Sequence, residues 1–115
     1  MVRLPRRLPR NIALELLLTG AEIPAARAHE LGLVSRLAAS GAALAAAGDL
    51  ARQIAANAPL ALRASKRIVA LAESLPEAEA LAAQAPIVDS VRTSADAAEG
   101  TRAFLEKRLP NWRGR

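Results

Sequence analysis

The side chains that most often carry catalysis are few in this chain of 115 residues, and their spacing assembles no reaction centre. His29 is the single histidine, and without a cysteine or a second histidine we expect no metal site. Glu77 and Glu79 are two residues apart, so on a helix their carboxylates point away from each other. None of the six serines has the context of a nucleophile elbow, and the six glycines are isolated rather than clustered in a phosphate loop. The residues therefore predict no catalytic group within the chain.

Positive charge is the chemical feature that remains, with 16 basic and 11 acidic residues and a net charge of +5. Such a balance indicates either an anionic partner or a solvated basic face. The basic residues cluster at both ends of the chain: Arg3, Arg6, Arg7 and Arg10, then Lys107, Arg108, Arg113 and Arg115. Phe104 and Trp112 are the only aromatic residues, too few for a platform that stacks bases, so we expect no nucleic-acid partner. A basic carboxy-terminal helix could still bind a smaller anion.

No segment has the length of a membrane span or a secretory signal. The apolar patch at 12–18 is short and is interrupted by Glu15. The absence of cysteine excludes a disulfide framework and is typical of a reducing compartment. We therefore expect a soluble, cytoplasmic chain with no membrane partner.

The composition predicts helices rather than strands. Alanine and leucine, which are strong helix formers, account for 29 and 18 residues, whereas valine and isoleucine together number ten. The only candidate for a strand is the stretch near 33–37, and one isolated strand would not be stable. The predicted fold class is mainly α, with at most this one short strand.

Proline, glycine and capping residues divide the first half of the chain into short elements. We expect helices over 11–18 and 24–31, each followed closely by a glycine. The stretch 38–48, rich in alanine, glycine and serine, is either a loose connection or the first turns of a helix. Asp49 is a candidate cap for the helix that follows.

Three more helices are expected in the second half. Pro59 suits the first position of one helix, and Pro86 should kink or divide the next. Ser94 is the expected cap of the last helix. Asp96 then falls in the first turn and the pair Lys107–Arg108 in the last turn, as the helix dipole favours.

Three blocks of residues add a more specific signal because of their order and spacing. The blocks are Arg3-Leu4-Pro5-Arg6 with Glu15-Leu16-Leu17-Leu18-Thr19-Gly20 and Leu31-Gly32-Leu33-Val34; Ala55-Ala56-Asn57-Ala58-Pro59 with Lys66; and Thr93-Ser94, Asp96, Glu99-Gly100, Ala103-Phe104-Leu105-Glu106-Lys107-Arg108, Pro110 and Gly114. Together they resemble the crotonase, or enoyl-CoA hydratase/isomerase, family over nearly the whole chain. Trp112 stands where that family usually has phenylalanine.

The resemblance implies the carboxy-terminal helical (trimerisation) region of a crotonase-like α/β fold. Residues 1–37 would then be the end of the core, and residues 38–115 the helical assembly region. Members of the family are more than twice as long, and their two catalytic glutamates and oxyanion hole have no counterpart here. The resemblance therefore implies a truncated chain of an enzyme that hydrates 2-enoyl-CoA, inactive alone. It implies no required cofactor, with the coenzyme A thioester as substrate.

Two binding residues carry over from the resemblance. The family's Phe-x-Glu-Lys motif lies near the adenine and phosphate end of coenzyme A, and here it supplies Phe104 and Lys107. An aromatic ring can pack on adenine, and an ammonium at a helix end can meet a phosphate. Alternatively, Phe104 is a core side chain and Lys107 a surface charge that matches the helix dipole.

The implied partners are acyl-CoA and a protein surface. The protein partner would be further copies of the chain, in a trimer or a dimer of trimers, or a full-length homologue. A non-catalytic helical oligomerisation module that docks on such a homologue remains the alternative function. A basic helical binder of nucleic acid remains a third possibility.

Overall fold

The computed structural model describes all 115 residues, and they form helices with no strand. A short 3-10 helix at Leu4–Arg6 precedes six α-helices: α1 Arg10–Thr19, α2 Ala25–Glu30, α3 Ala43–Ala55, α4 Pro59–Ser74, α5 Glu77–Arg92 and α6 Ala95–Leu105. The stretch 33–37 consists of bends and irregular chain. The mainly helical fold class is confirmed.

The chain divides into two compact units, Met1–Ala47 and Gly48–Arg115. In the first unit, α1 ends at Gly20, whose N–H donates to the Leu16 carbonyl. Helix α2 ends at Glu30, two residues before Gly32, which has a φ of +74°. Both glycines adopt the left-handed backbone that ends helices, so the expected stop positions are confirmed.

The second unit is built on α4 and α5, which pack against each other. Helix α4 begins at Pro59, as expected, because proline lacks an N–H and the first turn of a helix needs none. Four apolar residues on one face of α4 are half-buried: Leu60, Ala64, Ile68 and Leu71. Helix α6 also contacts α5 in this unit.

Two local expectations were wrong, and a third was wrong in one of its two alternatives. Helix α3 begins at Ala43, so Asp49 lies inside it and pairs with Arg52 instead of capping a helix. The strong helix propensity of the alanines carries the helix across Gly48. Of the two effects expected of Pro86, division of the helix does not occur: α5 runs through Pro86 without a break, because packing on α4 compensates for the hydrogen bond that proline removes. Helix α6 ends at Leu105, so the pair Lys107–Arg108 lies beyond its last turn.

Few side chains are buried in either unit. The buried apolar residues are Leu8, Ala13, Ala28 and Ala103, and no large side chain is completely enclosed. Fifteen large apolar side chains are exposed. The chain therefore exposes many large apolar side chains to solvent and encloses few.

Candidate functional site

The candidate site is the end of α6 together with residues 106–115, which we call the tail. Helix α6 starts from Ser94, whose Oγ accepts a hydrogen bond from the Ala97 N–H at 3.1 Å, as predicted for a cap. After Leu105 the tail turns and runs back along α6 towards its first turn. The helix and the tail thus hold each other in place.

The turn after α6 contains the one non-glycine residue with a positive φ, Lys107 at +51°. The Lys107 N–H donates to the Phe104 carbonyl at 3.3 Å, and the Arg108 N–H donates to the Ala103 carbonyl at 3.0 Å. These two bonds are the Schellman pattern, which places its left-handed residue immediately after the helix cap. A side chain in that conformation costs about 1–2 kcal/mol relative to the right-handed one.

The turn places the two predicted binding residues at the same end of α6. Phe104 is 83% exposed, so its interpretation as a core side chain is wrong. Lys107 is also exposed, and no ion pair engages its ammonium. An exposed aromatic ring and an unpaired cation therefore lie within one turn of each other. Their binding of coenzyme A stays a prediction.

Arg108, next to Lys107, is held by two carboxylates. Its Nη1 and Nη2 donate to the two oxygens of Glu99 at 2.6 and 3.2 Å, and its Nε donates to Glu106 at 2.6 Å. The pairing with Glu99 uses both arms of the guanidinium, which adds geometric precision to the attraction. The turn is thus clamped to the side of α6, two turns upstream.

Glu99 is the centre of this clamp. Besides Arg108, its Oε1 accepts the Asn111 N–H at 2.8 Å, and only 16% of its side chain is exposed. The hydrogen bond from Arg108, followed by that from Asn111, lowers the pKa of Glu99 to about 2. The same pairing raises the pKa of Arg108. Glu99 is therefore ionised and engaged on both of its oxygens at neutral pH.

Asp96 anchors the other end of the tail. Its carboxylate accepts the Arg113 N–H at 2.7 Å and the Gly114 N–H at 2.9 Å, and the residue is 3% exposed. Its own N–H donates to the Arg115 carbonyl. A buried carboxylate needs such partners, because burying an unpaired charge is very costly.

Trp112 lies between these two anchors. A Cβ atom at position 100 would lie 3.2 Å from Cη2 of Trp112, so Gly100 leaves room for the indole ring. The Nε1–H of Trp112 donates to the Ala56 carbonyl at 2.8 Å, which links the tail to the end of α3. Phenylalanine at this position could pack similarly but could not make that bond.

The anchoring roles of Asp96, Glu99 and Arg108 were not predicted. Asp96 was interpreted only as a charge that matches the helix dipole, whereas it binds backbone N–H groups of the tail. The sequence offered one signal for these roles. Asp96 and Glu99 are three residues apart, which places both on one face of α6, and Pro110 and Gly114 follow in the tail. That signal is weak without a structure, because a returning tail has no periodic pattern.

The remaining chemical side chains form no second site of this kind. His29 is exposed near the end of α2. No three histidine, cysteine, aspartate or glutamate side chains are grouped so that they could hold a metal ion. No helix has both the length and the apolar character needed to cross a membrane.

Comparison with known proteins gives consistent matches. A family model described as enoyl-CoA hydratase/isomerase matches residues 1–115. The chain is 46% identical over 114 residues to enoyl-CoA hydratase EchA19 of Mycobacterium tuberculosis. It is 38% identical over 119 residues to carnitinyl-CoA dehydratase of Citrobacter koseri. A solved enoyl-CoA hydratase from M. tuberculosis H37Rv superposes with a TM-score of 0.94 at 51% identity.

These matches cover almost all of the chain and under half of each relative. The alignment with EchA19 covers 99% of this chain and 43% of the relative, and that with the dehydratase covers 100% and 46%. The superposed hydratase structure is covered to 45% of its length. The chain therefore spans less than half the length of the relatives that it matches.

Proposed function

We propose the following function because this chain belongs to the enoyl-CoA hydratase/isomerase family, whose model matches its whole length. The chain would be the carboxy-terminal part of a protein that processes acyl-CoA thioesters, with hydration of 2-enoyl-CoA as the reaction of the complete enzyme. Residues 38–115 would be the helical assembly region. Phe104 and Lys107 would bind the adenine and phosphate end of coenzyme A.

One observation carries the assignment of the binding residues. The turn after α6 keeps a lysine in a left-handed conformation that glycine would adopt without cost, and the ammonium has no carboxylate partner. An ammonium held in this way can bind a phosphate by a charge-assisted hydrogen bond. The exposed ring of Phe104, three residues earlier, offers a flat apolar face to adenine.

The test is the affinity of the 115-residue chain for coenzyme A, measured by isothermal titration calorimetry. Lys107→Ala should weaken binding by about 10-fold or more, since hydrogen bonds to charged groups contribute about 1.5–3 kcal/mol. Lys107→Arg should retain most of the affinity. A titration with dephospho-coenzyme A, which lacks the 3′-phosphate, shows whether that phosphate is the group recognised.

Lys66→Ala is the matched control, because Lys66 is the only other lysine and lies exposed on α4. It should leave the affinity unchanged. Equal losses in the two lysine variants would indicate a general attraction of anions to a basic chain. Such a result would contradict the proposed site.

We further propose that the chain alone does not hydrate enoyl-CoA and needs no cofactor beyond the thioester substrate. The support is the match to less than half of each relative, together with the expectation that the family's general acid–base pair lies elsewhere. Hydration of crotonyl-CoA by the purified chain, well above a mock preparation, would contradict this. A cytoplasmic location belongs to the same proposal and is supported by the cysteine-free composition.

A second candidate function is a non-catalytic helical oligomerisation module that docks on a full-length homologue. The observation in its favour is the large amount of exposed apolar surface, fifteen large side chains against four buried apolar residues. A defined trimer, a dimer of trimers, or a stable complex with a purified full-length relative would support it. A monomer at all accessible concentrations, with no such complex, would contradict it.

A further inference from the structure

The strained turn at Lys107 requires support from its surroundings. A residue other than glycine remains in a left-handed conformation only where neighbouring structure over-determines it. The same turn occurs after α2, where Gly32 holds the equivalent position with the same two backbone bonds. The chain therefore forms this turn once without strain and once with a lysine. The second case needs an additional restraint.

Glu99 supplies that restraint. It binds Arg108 through two hydrogen bonds on one side of the turn, and it accepts the Asn111 N–H further along the tail. Both partners follow Lys107, so the chain beyond the turn cannot swing away from α6 while Glu99 holds them. At Gly32 the same two backbone bonds form around a residue that adopts the left-handed conformation without strain.

The clamp also keeps the Lys107 ammonium available. Glu99 and Glu106 are the carboxylates nearest to the turn in sequence, and both are bound to Arg108. A carboxylate that already accepts from a guanidinium attracts a second cation less strongly. Lys107 is thus left without an intramolecular partner and presents its charge to solvent.

We propose that Glu99 is a positioning residue for coenzyme A binding: by clamping Arg108 and Asn111, it holds the turn that presents Lys107. Glu99 itself does not contact the ligand, because both of its oxygens are occupied by the tail. This role rests on the proposed function of Lys107. It predicts that the effect of Glu99 on binding passes entirely through Lys107.

A double-mutant cycle tests this role in the 115-residue chain, with coenzyme A as the probe. Glu99→Gln removes the ion pair but keeps an oxygen that can accept the Asn111 N–H. It should weaken coenzyme A binding by about 3-fold or more in the otherwise unchanged chain. In the Lys107→Ala background it should have almost no effect. Exchange of the Arg108 amide hydrogen, which is bonded to Ala103, should be faster in Glu99→Gln.

Two further variants make the result decisive. Arg108→Lys keeps the charge but loses the two-armed pairing, so it should weaken coenzyme A binding as Glu99→Gln does. If the Glu99→Gln variant does not fold, Arg108→Lys takes its place in the cycle. Glu30→Gln is the matched control, because it removes an exposed ion pair with Arg27 at the end of α2. It should leave coenzyme A affinity and Arg108 exchange unchanged.

The outcomes separate the two proposals. Two results overturn the positioning role and leave the proposed function intact. In the first, Glu99→Gln weakens coenzyme A binding equally in the unchanged chain and in the Lys107→Ala background. In the second, Lys107→Ala weakens coenzyme A binding but Glu99→Gln does not. If Lys107→Ala itself has no effect on affinity, the proposed site is wrong and the positioning role fails with it.

Discussion

Lys107 and Gly32 occupy equivalent positions in two helix-ending turns of the same chain. The free energy that a left-handed lysine costs the fold can therefore be measured by substitution at both positions. Lys107→Gly should raise the free energy of unfolding by about 0.5–1 kcal/mol, because relief of the left-handed strain outweighs the added flexibility of the unfolded chain. Gly32→Ala should lower the free energy of unfolding by about 1 kcal/mol, because it introduces a side chain into the left-handed conformation. Chemical denaturation measures both. Destabilisation by Lys107→Gly would show that the turn is not strained.

The lowered pKa of Glu99 predicts a dependence of stability on pH. Since this carboxyl has a lower pKa in the folded chain than in the unfolded chain, its ionisation stabilises the fold. That contribution is complete above about pH 5 and is lost as the pH falls towards about 2. Thermal unfolding followed by circular dichroism should therefore show a smaller loss of stability over this range in Glu99→Gln. If stability falls equally with pH in the unchanged chain and in Glu99→Gln, the lowered pKa of Glu99 is contradicted.

At the scale of single residues, the sequence located the candidate site but not its geometry. Phe104 and Lys107 were identified through the resemblance to a family motif. The left-handed backbone at 107 was not predictable, because lysine is disfavoured there and the restraint comes from Glu99, eight residues earlier. Contacts between a helix and the tail that returns along it depend on tertiary structure.

Among the helices, α6 offers the clearest test of a local signal. Ser94→Ala should lower the free energy of unfolding by about 1 kcal/mol, because the Ala97 N–H loses its acceptor. Ser90→Ala is the control, since the Ser90 hydroxyl bonds only to a carbonyl of its own helix and caps nothing. Equal stability of the two variants would contradict the capping role.

Trp112 joins the tail to the end of α3, and its contribution can be isolated. Trp112→Phe keeps an aromatic ring over Gly100 but loses the hydrogen bond to the Ala56 carbonyl. We expect a loss of about 0.5–1 kcal/mol in the free energy of unfolding, since Ala56 is an exposed residue and water can replace the indole at its carbonyl. Trp112→Leu, which also changes the packing, should cost more. Denaturant titrations compare the three proteins.

Helix boundaries were predictable where the signal was local. The starts at Pro59 and Ser94 and the stops at Gly20 and Gly32 follow from the backbone preferences of those residues. The start of α3 at Ala43 was left open, because the alanine-rich stretch 38–48 has high helix propensity but no distinct cap. The continuity of α5 through Pro86 depends on packing against α4.

For the whole molecule, the exposed apolar surface predicts self-association. Leu109 is 90% exposed, so Leu109→Glu should weaken association without lowering the free energy of unfolding appreciably. Thr101→Glu places the same charge on an exposed polar position of α6 and should weaken association less. Sedimentation over a range of concentrations measures both. Equal effects of the two substitutions would attribute the change to charge alone.

The position of Trp112 has a practical consequence. It is the only tryptophan of the chain, and its indole is held between Gly100 and the Ala56 carbonyl. Its emission wavelength therefore reports directly whether the tail is docked, since release would place the ring in water and shift the emission to the red. The fraction of molecules with a released tail can thus be followed in real time without an added label.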